Sequence, residues 1–153
     1  ILDMTHGRGN WWTKVDLDVT AFSGDYTQPL PFADAEFDAV AYDPAYVSVG
    51  GKTTTKLLDH FDRYGLDKVP AGVGAVLADM IAGQAEAVRL VAPGGVVLQK
   101  CQQQVESGRL HDVPAMLKMA MASHGCMELV DEVILSRVKF SIFCDLGFSA
   151  FLE

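Results

Sequence analysis

Short apolar runs alternate with polar, glycine-containing turns along the chain. Ile1-Leu2-Asp3 reads as the end of a buried strand running into the turn Thr5-His6-Gly7-Arg8-Gly9-Asn10. Val15 to Val19 reads as a second short strand carrying Asp16-Leu17-Asp18. Leu30-Pro31-Phe32 is extended, a polar turn follows at 33–36, and Phe37 to Tyr42 is a buried strand ending at Asp43-Pro44. Val47 to Pro70 has no clear period, with Gly50-Gly51, a run of threonines and a short helix near Lys56 to Tyr64. Loops of this length are commonly lids or binding loops. From Val73 to Val91 the apolar residues Val73, Val76, Leu77, Met80, Ile81, Val88 and Val91 recur at helical spacing, and Pro93-Gly94-Gly95 stops the helix.

Val96 to Cys101 is the next strand. Asp112 to His124 is a second helix, with Asp112 as N-cap and Gly125 just past the end. Leu129 to Leu135 and Phe140 to Leu152 read as closing strands. Early strands alternating with helices predict an α/β fold, a mostly parallel sheet with helices on both faces. Closely spaced strands at the tail predict a C-terminal antiparallel hairpin. Ligands in such sheets bind at the carboxyl ends of the strands, so the turns after Asp3, Asp16 and Asp43 are expected to converge on one crevice.

The length of 153 residues suits one domain, and 50% hydrophobic residues support a sizeable core. No apolar run is long enough to span a bilayer, so no membrane partner is expected. The chain opens without a leader-like segment and without a starting Met, which predicts a fragment or absent N-terminal residues. The cysteines Cys101, Cys126 and Cys144 form no CxxC pair, which disfavours a disulfide framework or zinc site and fits a reducing cytoplasm. The histidines have no metal-like spacing, so no metal is expected. A net charge of −8 sits awkwardly with phosphate binding. The basic residues that cluster between Lys52 and Lys68 are the local exception.

Four motifs carry candidate chemistry. In Asp3-Met4-Thr5-His6-Gly7-Arg8-Gly9-Asn10, glycines after a strand let backbone approach a ligand closely, as they also do in ordinary tight turns. Asp16-Leu17-Asp18 offers a carboxylate to ribose hydroxyls, or is a solvated strand end. Asp25 of Gly24-Asp25-Tyr26 can accept from an adenine amino group, with Tyr26 or Phe32 packing on the purine, or the segment is a polar turn leading into core.

Tyr42-Asp43-Pro44-Ala45-Tyr46 is the most specific. The lone pair of an aminobase nitrogen is delocalised into its ring. A site that accepts both N–H bonds localises that pair towards a methyl donor. Asp43 supplies a carboxylate acceptor and Pro44 a carbonyl, proline fixes the local φ, and Tyr46 can stack on an extruded base. An ordinary strand-to-turn junction explains Asp-Pro but not the aromatic at that spacing.

In this order the motifs resemble the Rossmann-like S-adenosylmethionine-dependent methyltransferases, above all the DNA methyltransferases that modify adenine N6 or cytosine N4. Their hallmark, Asp/Asn/Ser-Pro-Pro-aromatic, is Asp43-Pro44-Ala45-Tyr46 here. Leu30-Pro31-Phe32-x-Asp34-x-x-Phe37-Asp38 and Pro93-Gly94-Gly95-Val96-Val97-Leu98 resemble the approaches to two of the family's strands. The resemblance spans Ile1 to about Leu135. It implies that S-adenosylmethionine is the cofactor and a flipped DNA base the substrate. Asp3, Thr5, Gly7 and Gly9 would line the methionine part, Asp16 would hold the ribose with Asp18 in reserve, and Asp25 would meet the adenine. Asp43, Pro44 and Tyr46 would hold the target base.

The sequence departs from the family in four ways. Ala45 replaces the second proline. Too few residues separate Gly9 from Asp16 for the usual helix, which predicts a missing segment. No region is large enough for a separate target-reading domain, which leaves 47–70 to contact DNA. The net charge is acidic.

Two other classes compete. An inactive cofactor-binding module of a larger assembly fits Ala45 and the charge. A nicotinamide oxidoreductase would need Gly-x-Gly-x-x-Gly, but Trp12 occupies the last glycine position counted from Gly7. Trp11 and Trp12 pack in the core or near the cofactor. Cys101 is structural rather than a cytosine-5 nucleophile. Lys100, Gln102 and Gln103 follow a strand's carboxyl end, where they touch substrate or are simply solvated.

Overall fold

A computed structural model describes residues 1–7, 12–14, 16–46 and 70–134. The loop expected before Pro70, Gly9 and the strand expected at Phe140–Leu152 lie outside the described residues. The elements, in order, are β1 (Leu2–Asp3), β2 (Thr20–Ala21), β3 (Phe37–Tyr42), α1 (Gly72–Leu90), β4 (Val91–Gln99), β5 (Gln104–Glu106), β6 (Arg109–His111) and α2 (Val113–Ser123). β1 to β4 form one four-stranded sheet in the order β2-β1-β3-β4, and every pair in it is parallel. The expected α/β organisation is therefore present.

An antiparallel pair is present earlier in the chain than the expected C-terminal hairpin, most of which lies outside the described residues. It is the separate two-stranded pair β5–β6, whereas residues 129–134 of the expected tail strand carry no strand and stand exposed. The β5–β6 turn is Ser107-Gly108, both with positive φ (52° and 76°), the geometry that two-residue hairpin loops favour.

β3 forms where the pattern put it, and its residues are buried at Phe37, Val40, Ala41 and Tyr42. β4 starts five residues early. Pro93-Gly94-Gly95 does not separate helix from strand. Instead the ladder shifts register there, with Phe37 opposite Val91 and Ala39 opposite Val96. Gly94 has φ +81°, and a Cβ at Gly95 would stand 2.5 Å from the Asp38 carbonyl oxygen. The glycines thus let an irregular β4 pass close to β3.

α1 buries Val73, Val76, Met80, Gly83, Gln84, Ala87 and Leu90 along one stripe. Its second half joins Leu2, Met4, Tyr26, Leu30, Phe37, Val40 and Tyr42 in the main core. Its first half packs on Val113 and Leu117 of α2. Both described helices thus touch each other, and Val96 and Leu98 of β4 remain about half-exposed. α2 begins as expected, the Asp112 carboxylate accepting from the Ala115 N–H at 3.3 Å, and Gly125 follows it with φ +68°. No described helix is long and apolar enough to cross a membrane.

Candidate functional site

From β1 the chain goes first to β2 on one side and then, past β1, to β3 on the other. Connections therefore diverge between β1 and β3, and in open parallel sheets the crevice at such a divergence, at the strands' carboxyl ends, is where ligands bind. β1 ends at Asp3 and β3 at Tyr42, so the first and fourth candidate motifs both emerge at this crevice.

Side chains tie the two loops together. The Asp3 carboxylate is nearly buried, with Oδ1 accepting from the Thr5 N–H at 3.1 Å and Oδ2 from the Trp12 indole N–H at 2.6 Å. His6 Nδ1 lies 3.3 Å from Oδ2. The buried Thr5 hydroxyl accepts from the Asp43 N–H at 2.7 Å, and Met4 N–H donates to the Ala41 carbonyl at 3.1 Å. Gly7 has φ +52°, which turns the chain just beyond Thr5 at no cost to a residue without Cβ.

Pro44 and Ala45 are buried, while Asp43 and Tyr46 are partly accessible. β4 supplies the third wall: the Lys100 N–H bonds the Tyr42 carbonyl at 2.9 Å. The Lys100 ammonium reaches Asp43 Oδ2 at 3.0 Å and sits 5.4 Å from the Tyr46 ring centroid. The carboxamide of Gln104, on β5, donates to the Tyr46 carbonyl, so the hairpin braces the loop.

Asp3, Thr5, Gly7, Asp43, Pro44 and Tyr46 are thus gathered at one strand end. Asp16 is not. Residues 16–19 carry no strand, and β2 pairs as Leu2 with Thr20 and Asp3 with Ala21. Asp16 therefore precedes β2, on the amino-terminal side, away from the end that bears Asp3. Asp18 keeps it company, its carbonyl accepting from the Ile1 nitrogen. The physical reason is register: backbone pairing with β1, not local apolar alternation, decides where so short a strand lies.

Asp25 does follow the carboxyl end of β2. Its Oδ1 accepts from the Thr27 N–H at 2.9 Å and the Thr27 hydroxyl at 2.6 Å. Tyr26 is not available to stack on a purine. It is buried against Tyr42, ring centroids 5.4 Å apart and edge-on. Phe32 packs edge-on with Phe22 and Phe37.

The Tyr42 hydroxyl donates to the Met80 carbonyl at 3.2 Å, and burial holds its pKa well above the ordinary phenol value. Burial likewise raises the Cys101 thiol, which suits a structural cysteine rather than a nucleophile. Asp79 is raised by burial and by the Asp25 charge.

Neither the clasp of Trp12 on Asp3 nor the brace from Gln104 has a local signal in the sequence, because each joins segments apart along the chain. Lys100 is expected from the sequence to follow a strand end, touching substrate or simply solvated, and the structure pairs it with Asp43. The available signal was that position, just past a strand that borders the crevice.

Among the described residues, no group of three or more His, Cys, Asp or Glu side chains is arranged to hold a metal ion. No protein-family model matches the chain, and no curated protein or solved structure matches it.

Proposed function

We propose that the chain is a Rossmann-like S-adenosylmethionine-dependent methyltransferase that modifies an exocyclic amino group of a DNA base, adenine N6 or cytosine N4. One observation carries the reading. The Asp43-Pro44-Ala45-Tyr46 loop and the Asp3-to-Gly7 turn share the crevice where the strand connections diverge, and a Thr5–Asp43 hydrogen bond joins them. The resemblance of the motifs supplies the identity of the chemistry.

The residues fit the cofactor in part. Asp3 presents a buried carboxylate beside the Gly7 turn, which suits the ammonium of a methionine moiety, and Asp25 follows the carboxyl end of the neighbouring strand β2. Asp16 lies towards the other end of β2, so the ribose contact is not assigned to it. When bound, S-adenosylmethionine supplies an electrophilic methyl group. The chain's own residues handle the acceptor. Asp43 and the Pro44 carbonyl accept the two N–H bonds of the target amine, raising electron density on its nitrogen. Asp43 is the nearest carboxylate to take the proton that the amine loses. Tyr46 stacks on the base, and Gln104 holds the Tyr46 backbone in place. Fixed acceptors in a part-buried site need little reorganisation as charge develops.

A non-transferring cofactor-binding module is the second reading. Ala45, buried where the family has its second proline, and the net charge of −8 favour it. An RNA amino group as acceptor is a variant of the first.

Calorimetric titration with S-adenosylmethionine, with NAD as control, tests the cofactor assignment. Transfer of a labelled methyl group to DNA tests the chemistry. Asp43→Ala is expected to abolish transfer while cofactor binding persists. Unchanged incorporation by that variant removes Asp43 from the mechanism. Binding without transfer to any DNA or RNA selects the second reading.

A further inference from the structure

The Lys100 ammonium bonds Asp43 Oδ2 at 3.0 Å and lies over the Tyr46 ring, 5.4 Å from its centroid. These are the two contacts that an aminobase would make: N–H donation to the carboxylate and stacking on the aromatic face. Lys100 is a donor with no acceptor capacity. Its ammonium therefore satisfies this acceptor and this face in the way a base's amino group and ring would. A base donating to the same Oδ2 and stacked on the ring face that the ammonium covers cannot share that space with it.

The backbone of Lys100 is fixed by its bond to the Tyr42 carbonyl, but its side chain is 37% exposed against 14% for Asp43. The side chain is therefore open to water over part of its surface. We propose that Lys100 is a positioning residue that occupies the amino-group subsite and keeps the Asp43 carboxylate aligned until the target base displaces it. This rests on the reading of Asp43 and Tyr46 as the base-holding pair.

Such occupancy divides the protein between a closed and a competent arrangement, and the apparent affinity for the base falls by the competent fraction. An ion pair this accessible is weak, so the reduction amounts to about threefold. Lys100 thereby rejects loosely held acceptors and yields to a base that makes both contacts.

The test is equilibrium binding of deoxyadenosine and deoxycytidine with S-adenosylhomocysteine present. It uses the wild-type chain, Lys100→Met and Lys100→Arg, with the Lys100 ammonium followed by NMR in the wild type. Expected are about threefold tighter binding by Lys100→Met, no tightening by Lys100→Arg, which keeps the cation, and release of the ammonium signal as nucleoside binds. Equal or weaker binding by Lys100→Met overturns the proposal and leaves the base-holding reading standing, as does nucleoside binding with the ammonium signal unmoved. The second of these arms needs no variant to fold. Failure of the wild type and both variants to bind either nucleoside overturns the proposal and the base-holding reading together.

Discussion

The Asp43 backbone amide donates to the Thr5 hydroxyl across 2.7 Å, joining residues 38 apart in sequence. Thr5 is buried, so water cannot readily replace its oxygen. Thr5→Val keeps the shape but deletes the acceptor and strands a donor. Expected is a loss of about 1–3 kcal/mol in urea unfolding, with Thr5→Ser close to wild type because it restores the oxygen. Equal midpoints for Thr5→Val and the wild type would show that the bond carries no net stability.

Gly83 is the point at which α1 meets the residue before Asp43. A Cβ there would lie 2.6 Å from Tyr42 Cζ and 2.9 Å from Tyr26 Cδ2, and closer still to the Tyr42 hydroxyl. Alanine raises helix propensity by about 1 kcal/mol, but overpacking against a buried ring costs about 1–3 kcal/mol. Because the clash involves two aromatic rings and a bonded hydroxyl, the clash wins. Gly83→Ala is expected to lower the melting temperature by several degrees, about 4 °C or less per kcal/mol at this chain length. It should also shift the Tyr42 ring resonances. A higher melting temperature would mean that the rings relax freely.

Local signals were legible in the sequence where the cause is local. The Asp112 cap and Gly125 mark both ends of α2, and the apolar run from Phe37 to Tyr42 is β3 residue for residue. The shared crevice of Asp3 and Asp43 followed from parallel topology. What escaped is non-local. β2 lies at Thr20–Ala21 because β1 dictates its register, so Asp16 lost its strand end. Tyr26 went to the core because Tyr42 and Gly83 leave a slot for its ring. The β5–β6 hairpin did leave a trace, Ser107-Gly108, but its flanks lack buried alternation: Val105 and Leu110 face each other and both stand exposed.

Glu106 shows how that hairpin serves the helix. Its carboxylate accepts from the Val73 N–H at 3.1 Å, one of the orphan donors at the start of α1, where Ala71 offers no side-chain cap. A negative group at a helix N-terminus also meets the favourable end of the dipole. Glu106→Ala is expected to cost about 0.5–2 kcal/mol, with faster amide exchange confined to the first turn of α1. Exchange at Val73 equal to wild type would remove the cap from the account.

Two carboxylates on α1 should respond to pH in opposite senses. Glu86 is held below its ordinary 4.5 by its hydrogen bond to Arg89 and by the Leu30 N–H. Its contribution is present above 4.5 and is lost as pH falls through the depressed folded value. Asp79 is held above its ordinary 3.8 by burial and by the charge of Asp25. Ionised, it opposes folding, and that penalty disappears as pH falls through the raised folded value towards 3.8. Both are within reach of water, so each effect is less than about 1 kcal/mol. At pH 7 Glu86→Gln should therefore destabilise the chain and Asp79→Asn should stabilise it. Helix propensity differs little within either pair. The Asp79 gain should fade first on acidification, because its folded value is raised, and the Glu86 loss should fade below 4.5. Denaturant midpoints for both variants between pH 3 and 7 measure this directly. An Asp79→Asn gain that persists at pH 3 would show that packing, not charge, sets the effect.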